Sequence, residues 1–281
     1  MLRQQRICFV GAGHMAEALI KGLLAQGLSP QQIAALEKRA ERARQINEVY
    51  RIATDREQVG ELLPQANIVV LAVRPQDMVT ALSEQRGRIN RRQLVISFLA
   101  GVETRQVEEL LPPGTPVVRA MPNTPAAIAL GITAITPGGF ATEKHLALTR
   151  ALFAAVGDVV RVPEAQMDAV TALSGSGPAY VYFLAEAMEE GGVAAGLDRE
   201  AARALTVQTL LGAAHLLCSS DQTARELRRQ VSSPGGTTVA GVQALEEGRF
   251  VATVCNAVLA AAARSRSLAQ QVEEPAASST D

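Results

Sequence analysis

The chain has 281 residues, 48% of them hydrophobic and 20% charged, with a formal net charge of −1. That length and apolar content suffice for two cores, while a near-neutral balance without a basic stripe argues against nucleic acid as a partner. Aromatic residues make up only 3% and tryptophan is missing, so alanine and leucine must fill the interior, which suits closely packed helices.

The three cysteines, Cys8, Cys218 and Cys255, lie far apart within apolar runs and lack metal-ligand spacing. They read as buried free thiols in a reducing compartment, with no metal site. Residues 1–6 run straight into a strand without a cleavable apolar segment, and no uninterrupted apolar stretch reaches the length of a bilayer span. The expectation is a cytoplasmic protein without membrane contact.

Ile7-Cys8-Phe9-Val10 forms a first strand and leads into Gly11-Ala12-Gly13-His14-Met15-Ala16, which opens a helix reaching about Ala25. The first glycine permits a tight turn, and the second lets backbone approach a pyrophosphate. Ala16 stands where helix and strand must pack closely. Alone the pattern is weak. Its place in the first strand–helix turn, within repeated strand–helix units, favours dinucleotide binding over a merely structural turn. A second strand, Ile33 to Leu36, ends in Glu37-Lys38-Arg39. Glu37 suits a ribose 2′-hydroxyl and NAD, and Lys38 with Arg39 suits a 2′-phosphate and NADP; the plain alternative is a solvated helix start. The balance leans to NADP(H), with NAD(H) open.

Three further apolar runs end at the same rim. Ile68 to Val73 exits through Arg74-Pro75, Leu94 to Phe98 through Ala100-Gly101, and Val117 to Met121 through Pro122-Asn123-Thr124-Pro125. In open α/β sheets, ligands bind at such carboxyl ends, which puts Ala72, Val73, Arg74, Pro75, Ala100 and Asn123 beside a coenzyme. Strand–helix alternation predicts a doubly wound parallel sheet, extended by Ile132 to Ile135 and Val159 to Val162.

After Pro163 the pattern turns to helices only. Pro178 reads as a first helical residue, Asp198 as the cap of a helix reaching about Leu217, and Asp221 as the cap of a shorter one. Val251, Val254, Cys255, Val258 and Leu259 form a helical stripe, and from Val272 on the composition is that of a disordered tail. The expected limits are a sheet domain at 1–162, a helical domain at 163–271 and a tail at 272–281. A helical half so rich in alanine calls for a second copy to cover its apolar faces.

The most informative segment is Val231-Ser232-Ser233-Pro234-Gly235-Gly236-Thr237-Thr238. Pro234 lacks an N–H, the two glycines allow a steep turn, and an amphipathic run (Val239, Val242, Leu245) follows at once. Gly236, Thr237 and Thr238 therefore stand at a helix start, whose free amides and positive dipole end favour a carboxylate. A plain capped helix is the alternative.

Taken together, these segments resemble the pyrroline-5-carboxylate reductase family. The resemblance rests on Gly11 to Ala16, Ala72 to Pro75, Ser97 to Gly101, Arg119 to Pro125, Leu173-Ser174-Gly175-Ser176-Gly177-Pro178-Ala179-Tyr180 and Val231 to Thr238, in the family's order and over nearly the whole chain to about Gln271. His14 stands where the family usually has Asn or Gln, and Arg74 replaces the commoner Lys. The resemblance implies a Rossmann-type α/β domain followed by an all-α dimerisation domain, assembly as a dimer and often a decamer, and reduction of 1-pyrroline-5-carboxylate to L-proline by NAD(P)H. It implies coenzyme contacts at Gly11 to Ala16, Lys38, Arg39, Ala72 to Pro75, Ala100 and Asn123. Amides of Gly236, Thr237 and Thr238, with Ser233 and Gly235 in the same turn, would hold the substrate carboxylate. The Thr238 hydroxyl would bond the ring nitrogen, and Glu164 and Gln230 would be peripheral contacts.

The remaining reactive residues have bland readings. His14 belongs to a helix start or coenzyme contact, His145 to a solvated helical face, and His215, among alanines and leucines, to a core or interface. Ser174 and Ser176 have no base nearby in sequence, so capping and close packing outweigh nucleophilic catalysis. Met15 and Met121 read as core fillers. Two other functions compete. A hydroxyacid dehydrogenase of similar plan would need a helix-borne lysine, yet lysine occurs only at positions 21, 38 and 144, all in the sheet half. A non-enzymatic NAD(P)-binding regulator would not need Thr238.

Overall fold

The structure, a computed structural model, describes residues 2–273. Seven strands form one sheet: β1 (Ile7–Val10), β2 (Ile33–Leu36), β3 (Ile68–Leu71), β4 (Leu94–Ser97), β5 (Val117–Met121), β6 (Gly131–Pro137) and β7 (Gly157–Arg161), in the order β2-β1-β3-β4-β5-β6-β7. The helices of this part are α1 (His14–Ala25), α2 (Ala40–Tyr50), α3 (Arg56–Leu62), α4 (Met78–Glu84), α5 (Thr104–Glu108), α6 (Glu143–Phe153) and α7 (Met167–Val170).

The strands from β1 to β5 are parallel, as the alternation predicts, but β6 runs antiparallel to β5 and carries β7 parallel to itself. Connection length explains this departure from an all-parallel sheet. A parallel crossover needs about a dozen residues or more, and the short 122–130 link allows only a reversal, whereas β6 and β7 are joined through α6.

Alternate strand residues feed two apolar layers, which is why β1, β3 and β4 are continuous apolar runs. Ile7, Phe9, Ile68, Val70 and Ile96 pack with Leu19, Ile20 and Leu23 of α1 and Phe153 of α6. Cys8, Val10, Val69, Leu71 and Val95 face Val59 of α3, Met78 and Leu82 of α4, and Val107 of α5. Burial pushes the Cys8 thiol up to about 12, so it remains neutral.

The chain divides into two compact units, one running to Ser176 and resuming at Ala260, the other Gly177–Leu259. The first unit thus extends past the 162/163 limit read from sequence, because Met167 and Ala172 are buried in it and Ser265 donates to Asp168. The second contains α8 (Gly177–Ala194), α9 (Arg199–Ser219), α10 (Ala224–Gln230), α11 (Thr237–Glu247) and the first part of α12 (Phe250–Glu273). Helix α12 continues through residues 272 and 273, and the rest of the tail expected from 272 lies outside the described residues.

Asp198 caps α9 by accepting from the Ala201 amide at 2.8 Å. The next cap is Thr223 rather than Asp221: it accepts from the Glu226 amide while Glu226 reaches back to Thr223, a reciprocal box that Asp221 is too far upstream to make. His145 closes a similar box with Thr142 at the start of α6 and is half-buried, not free on a solvated face.

In helices α8 to α11 only Ala202 and Thr206 are buried, while Phe183 (74% exposed), Leu205, Leu211 and Leu245 are open. Cys218 and Cys255 are exposed in the single chain, against their expected burial, because their helices meet no covering layer of their own; His215, read as a core or interface residue, is exposed there too and so is no part of this chain's own core. One of these helices, α9, is also long and apolar enough to cross a membrane by length and composition, although Thr206, Gln208, Thr209 and His215 interrupt its apolar run. Its charges, Arg199, Glu200 and Arg203, are gathered in its first turns, which leaves the remainder uncharged. Asp198→Ala should remove the α9 cap and lower unfolding stability by about 1 kcal/mol, read from denaturant midpoints; an unchanged midpoint would contradict the capping role.

Candidate active site

From β1 the chain moves to β2 on one side and β3 on the other, so the exits of β1 and β3 flank a switch point, where open α/β sheets bind ligands. Gly11 sits there at φ 99°, and a Cβ on it would lie 2.6 Å from the Ala72 carbonyl oxygen at the β3 exit. Both facts require glycine. Gly13 precedes α1 with no side-chain cap, and the space where its Cβ would stand is open. The first amides of α1 therefore face outward without helical partners, a ready site for a pyrophosphate. Ala16, in contrast, is buried against the sheet.

A cavity of about 410 Å³ opens at this point, lined by Gly11, Ala12, Gly13, Leu36 to Arg39, Ala72, Val73, Arg74 and residues of α4. The glycine loop is fixed on both sides of Ala12. Its amide donates to Glu37 Oε2 at 3.2 Å, and Arg42 Nε donates to its carbonyl at 2.9 Å. Arg42 in turn pairs with Glu17, which also accepts from the Tyr50 hydroxyl at 3.0 Å.

Each cation on the rim already has a carboxylate: Arg39 holds Glu37 at 3.0 Å, Lys38 holds Glu84 at 2.9 Å, and Arg74 holds Asp77 at 2.8 Å. The Glu37 side chain is only 8% exposed. Burial acts to raise its carboxyl, but hydrogen bonds from the Arg39 side chain and from the Arg39 and Ala12 amides outweigh that and hold it below the usual range. Glu37 is thus a fixed anion inside the cavity. Its partner arrangement, and the roles of Asp77 and Glu84, have no signal in the local sequence.

Of the residues singled out from sequence, Gly11, Ala12, Gly13, Lys38, Arg39, Ala72, Val73 and Arg74 share this cavity. His14 and Met15 begin α1 beside it, and Pro75 opens the turn before α4. Ala100 lies in the β4 exit turn, away from the cavity lining. Asn123 is buried and accepts from the Ile132 amide at 2.9 Å, bracing the start of β6. Met121 reaches within 2.8 Å of where a Cβ on Gly175 would stand, and the Ser174 hydroxyl donates to the Val170 carbonyl, so this stretch packs rather than presenting a nucleophile.

In the helical unit, the Gly236 amide donates to the Ser233 carbonyl at 2.9 Å, with Pro234 and Gly235 (φ 73°) between them. Pro at the second place and a left-handed glycine at the third make this a type II turn. Gly236 caps α11, and a Cβ on it would lie 2.6 Å from Ser233 Oγ. Because the turn consumes the Gly236 amide, the donors left at the mouth of the helix are the Thr237 and Thr238 amides, beyond reach of any helical carbonyl. Thr238 is half-buried, Ser233 lies in the turn itself, and Gln230 ends α10. Glu164 belongs to the other unit, where its carboxylate accepts from Arg119 and Thr104.

Residues 164–268 match the family model described as pyrroline-5-carboxylate reductase dimerisation, and residues 6–101 match that of coenzyme F420-dependent NADP oxidoreductase. The pyrroline-5-carboxylate reductase of Arabidopsis thaliana is 40% identical over 94% of this chain and 96% of its own length. That of Methanosarcina acetivorans is 39% identical over 96% of this chain and all of its own. Among solved structures, the Coxiella burnetii pyrroline-5-carboxylate reductase superposes with a TM-score of 0.87 at 34% identity, covering 94% of this chain and 98% of that one. A Plasmodium falciparum pyrroline carboxylate reductase with NADP bound gives 0.84 at 28% identity, covering 95% and 99%. With both units matched and relatives aligned nearly end to end, the chain belongs to the pyrroline-5-carboxylate reductase family.

Proposed function

We propose that the chain reduces 1-pyrroline-5-carboxylate to L-proline, the sheet unit holding the coenzyme and the helical unit the substrate. The observation that carries this is the type II turn at Ser233–Gly236, which leaves two amides at the mouth of α11 within the stretch matched to the family. When bound, the nicotinamide dinucleotide supplies the hydride. A cyclic iminium is already electrophilic and exchanges its proton with solvent, so the protein must mainly orient the ring and exclude misalignment. The Thr237 and Thr238 amides hold the carboxylate, with Ser233, Gly235 and Gly236 shaping the turn. The Thr238 hydroxyl bonds the ring nitrogen, and Gln230 and Glu164 stay at the periphery.

Coenzyme contacts on this reading come from Gly11 to Met15, Ala72 to Pro75, Ala100 and Asn123, as well as Lys38 and Arg39, while the buried Ala16 only lets α1 pack on the sheet. The lean to NADP(H) rests on Lys38 and Arg39 clamping a 2′-phosphate, for which both must share or leave their carboxylates. Opening the exposed pairs costs little, about 0–1 kcal/mol each. Glu37 opposes the clamp, since like charges 4 Å apart repel by about 4 kcal/mol at an effective dielectric of 20, but Lys38 and Arg39 at the same distance would each attract the phosphate by as much. A 2′-hydroxyl donating to Glu37 would have to displace a donor, because the two carboxylate oxygens already accept from the Ala12 and Arg39 amides and from two guanidinium nitrogens of Arg39. We therefore read NADP(H) as preferred, with NAD(H) as the alternative and Glu37 as the group that sets the balance between them.

The apolar surfaces of α8 to α12 call for a second copy, in keeping with the dimerisation region matched there, and decamers built from such dimers are the full assembly we propose. Three unpaired cysteines support a cytoplasmic setting. On this reading the apolar length of α9 serves subunit contact, not a membrane, and nucleic acid has no part.

Oxidation of NAD(P)H by the purified protein should depend on 1-pyrroline-5-carboxylate. Gly236→Val and Thr238→Ala should weaken substrate use by about tenfold or more while coenzyme Kd stays within about twofold. Equal losses of both would count against the substrate turn, and tight coenzyme binding without turnover would favour a regulator. Glu37→Gln should shift the NADH-to-NADPH ratio of kcat/KM by about tenfold toward NADPH; an unmoved ratio would remove Glu37 as the discriminator.

A further inference from the structure

We infer that Arg119 and Glu164 form a clamp that positions the β4 exit turn for the coenzyme, an inference that rests on reading the cavity as a dinucleotide site. Only 4% of the Arg119 side chain is exposed, too little for it to touch a ligand itself. Its Nη1 donates to Glu164 Oε1 at 3.0 Å. The same carboxylate accepts from Thr104 Oγ1 at 2.6 Å and from the Thr104 amide at 3.4 Å. One carboxylate therefore joins β5, the start of α5 and the turn at Glu164–Gln166. Thr104 ends the segment leaving β4, so holding it holds the turn that carries Ala100 and Gly101 (φ 77°).

Stability alone does not account for this arrangement. Among the described residues, Arg119 Nη2 and Ser97 Oγ, on paired positions of β5 and β4, are buried without a partner, as is Glu108 Oε1 one turn along α5 from Thr104. Each group left so costs about 1–3 kcal/mol. Well-packed apolar residues serve as well as a buried ion pair, or better, when only stability is at stake. What the pair adds is a fixed position for three elements.

Sheet order identifies what is being placed. The cavity rim occupies the exits of β2, β1 and β3, and β4 and β5 follow next. A dinucleotide with its pyrophosphate on α1 and one half over β2 has the β4 and β5 exits for its other half. The clamp lies at those two exits. Glu164, implied by resemblance to be a peripheral contact, acts on this view through Thr104 and Arg119.

The test compares Arg119→Met, Glu164→Gln and the double variant with wild type as full-length proteins. It reads Kd for whichever of NADH and NADPH binds tighter, KM and kcat with 1-pyrroline-5-carboxylate, and the thermal midpoint. Each single change should raise coenzyme Kd and KM about tenfold with kcat lowered less than about threefold, and the double should be no worse than either, since one clamp is broken. Arg119→Lys, which keeps charge but loses the fork, should recover part of the loss. Unchanged Kd and KM beside a lowered midpoint, or additive losses, would overturn the clamp. If the buried variants fail to fold, Thr104→Val carries the same expectation at about threefold. A wild type that binds coenzyme without turning over substrate would defeat the reductase reading, while the Kd comparison would still decide the clamp.

Discussion

The approach of Gly11 to the Ala72 carbonyl is the contact on which the coenzyme end is built. It brings the exits of β1 and β3 so close that no side chain fits between them, and it fixes where α1 begins. The outward-facing amides of α1, the open space at Gly13 and the burial of Ala16 all follow from that one approach. Two segments separated by sixty residues thereby become one corner, and the Glu37 and Arg42 bonds to Ala12 keep it from relaxing.

Around this corner, charge is paired rather than accumulated. A rim with Lys38, Arg39 and Arg74 looks basic in one dimension, but Glu84, Glu37 and Asp77 neutralise it in three. Recognition then falls to backbone amides and to one fixed carboxylate, not to net positive potential. The helical unit treats its amides in the same way, because the Pro234-Gly235 turn spends one on its own closure and leaves the next two at the mouth of α11. Few ionisable groups are needed for a reaction whose electrophile is already activated.

The helical unit shows how assembly and function are linked through packing. Its helices carry Phe183, Leu205, Leu211 and Leu245 on surfaces that the chain does not cover, so the apolar burial that would stabilise it must come from another copy. The exposure of Cys218, Cys255 and His215 in one chain is part of the same fact. The sequence reading of Cys218 and Cys255 as buried does not hold in the single chain, because a sequence does not say which chain provides the cover.

What the amino-acid order determined by itself was local: the apolar strand runs, the glycine loop, the Asp198 cap, the helix opening after Gly236, and the resemblance those motifs carry together. These depend on neighbours within a few residues, where backbone sterics and periodicity act. Only the tertiary structure decided the reversal of β6, the pairing of Lys38 with Glu84, and the joining of Glu164 to Arg119 and Thr104. Those outcomes depend on connection length and on charges 45 or more residues apart meeting across a sheet. No local propensity encodes such meetings, because they exist only once the layers have packed.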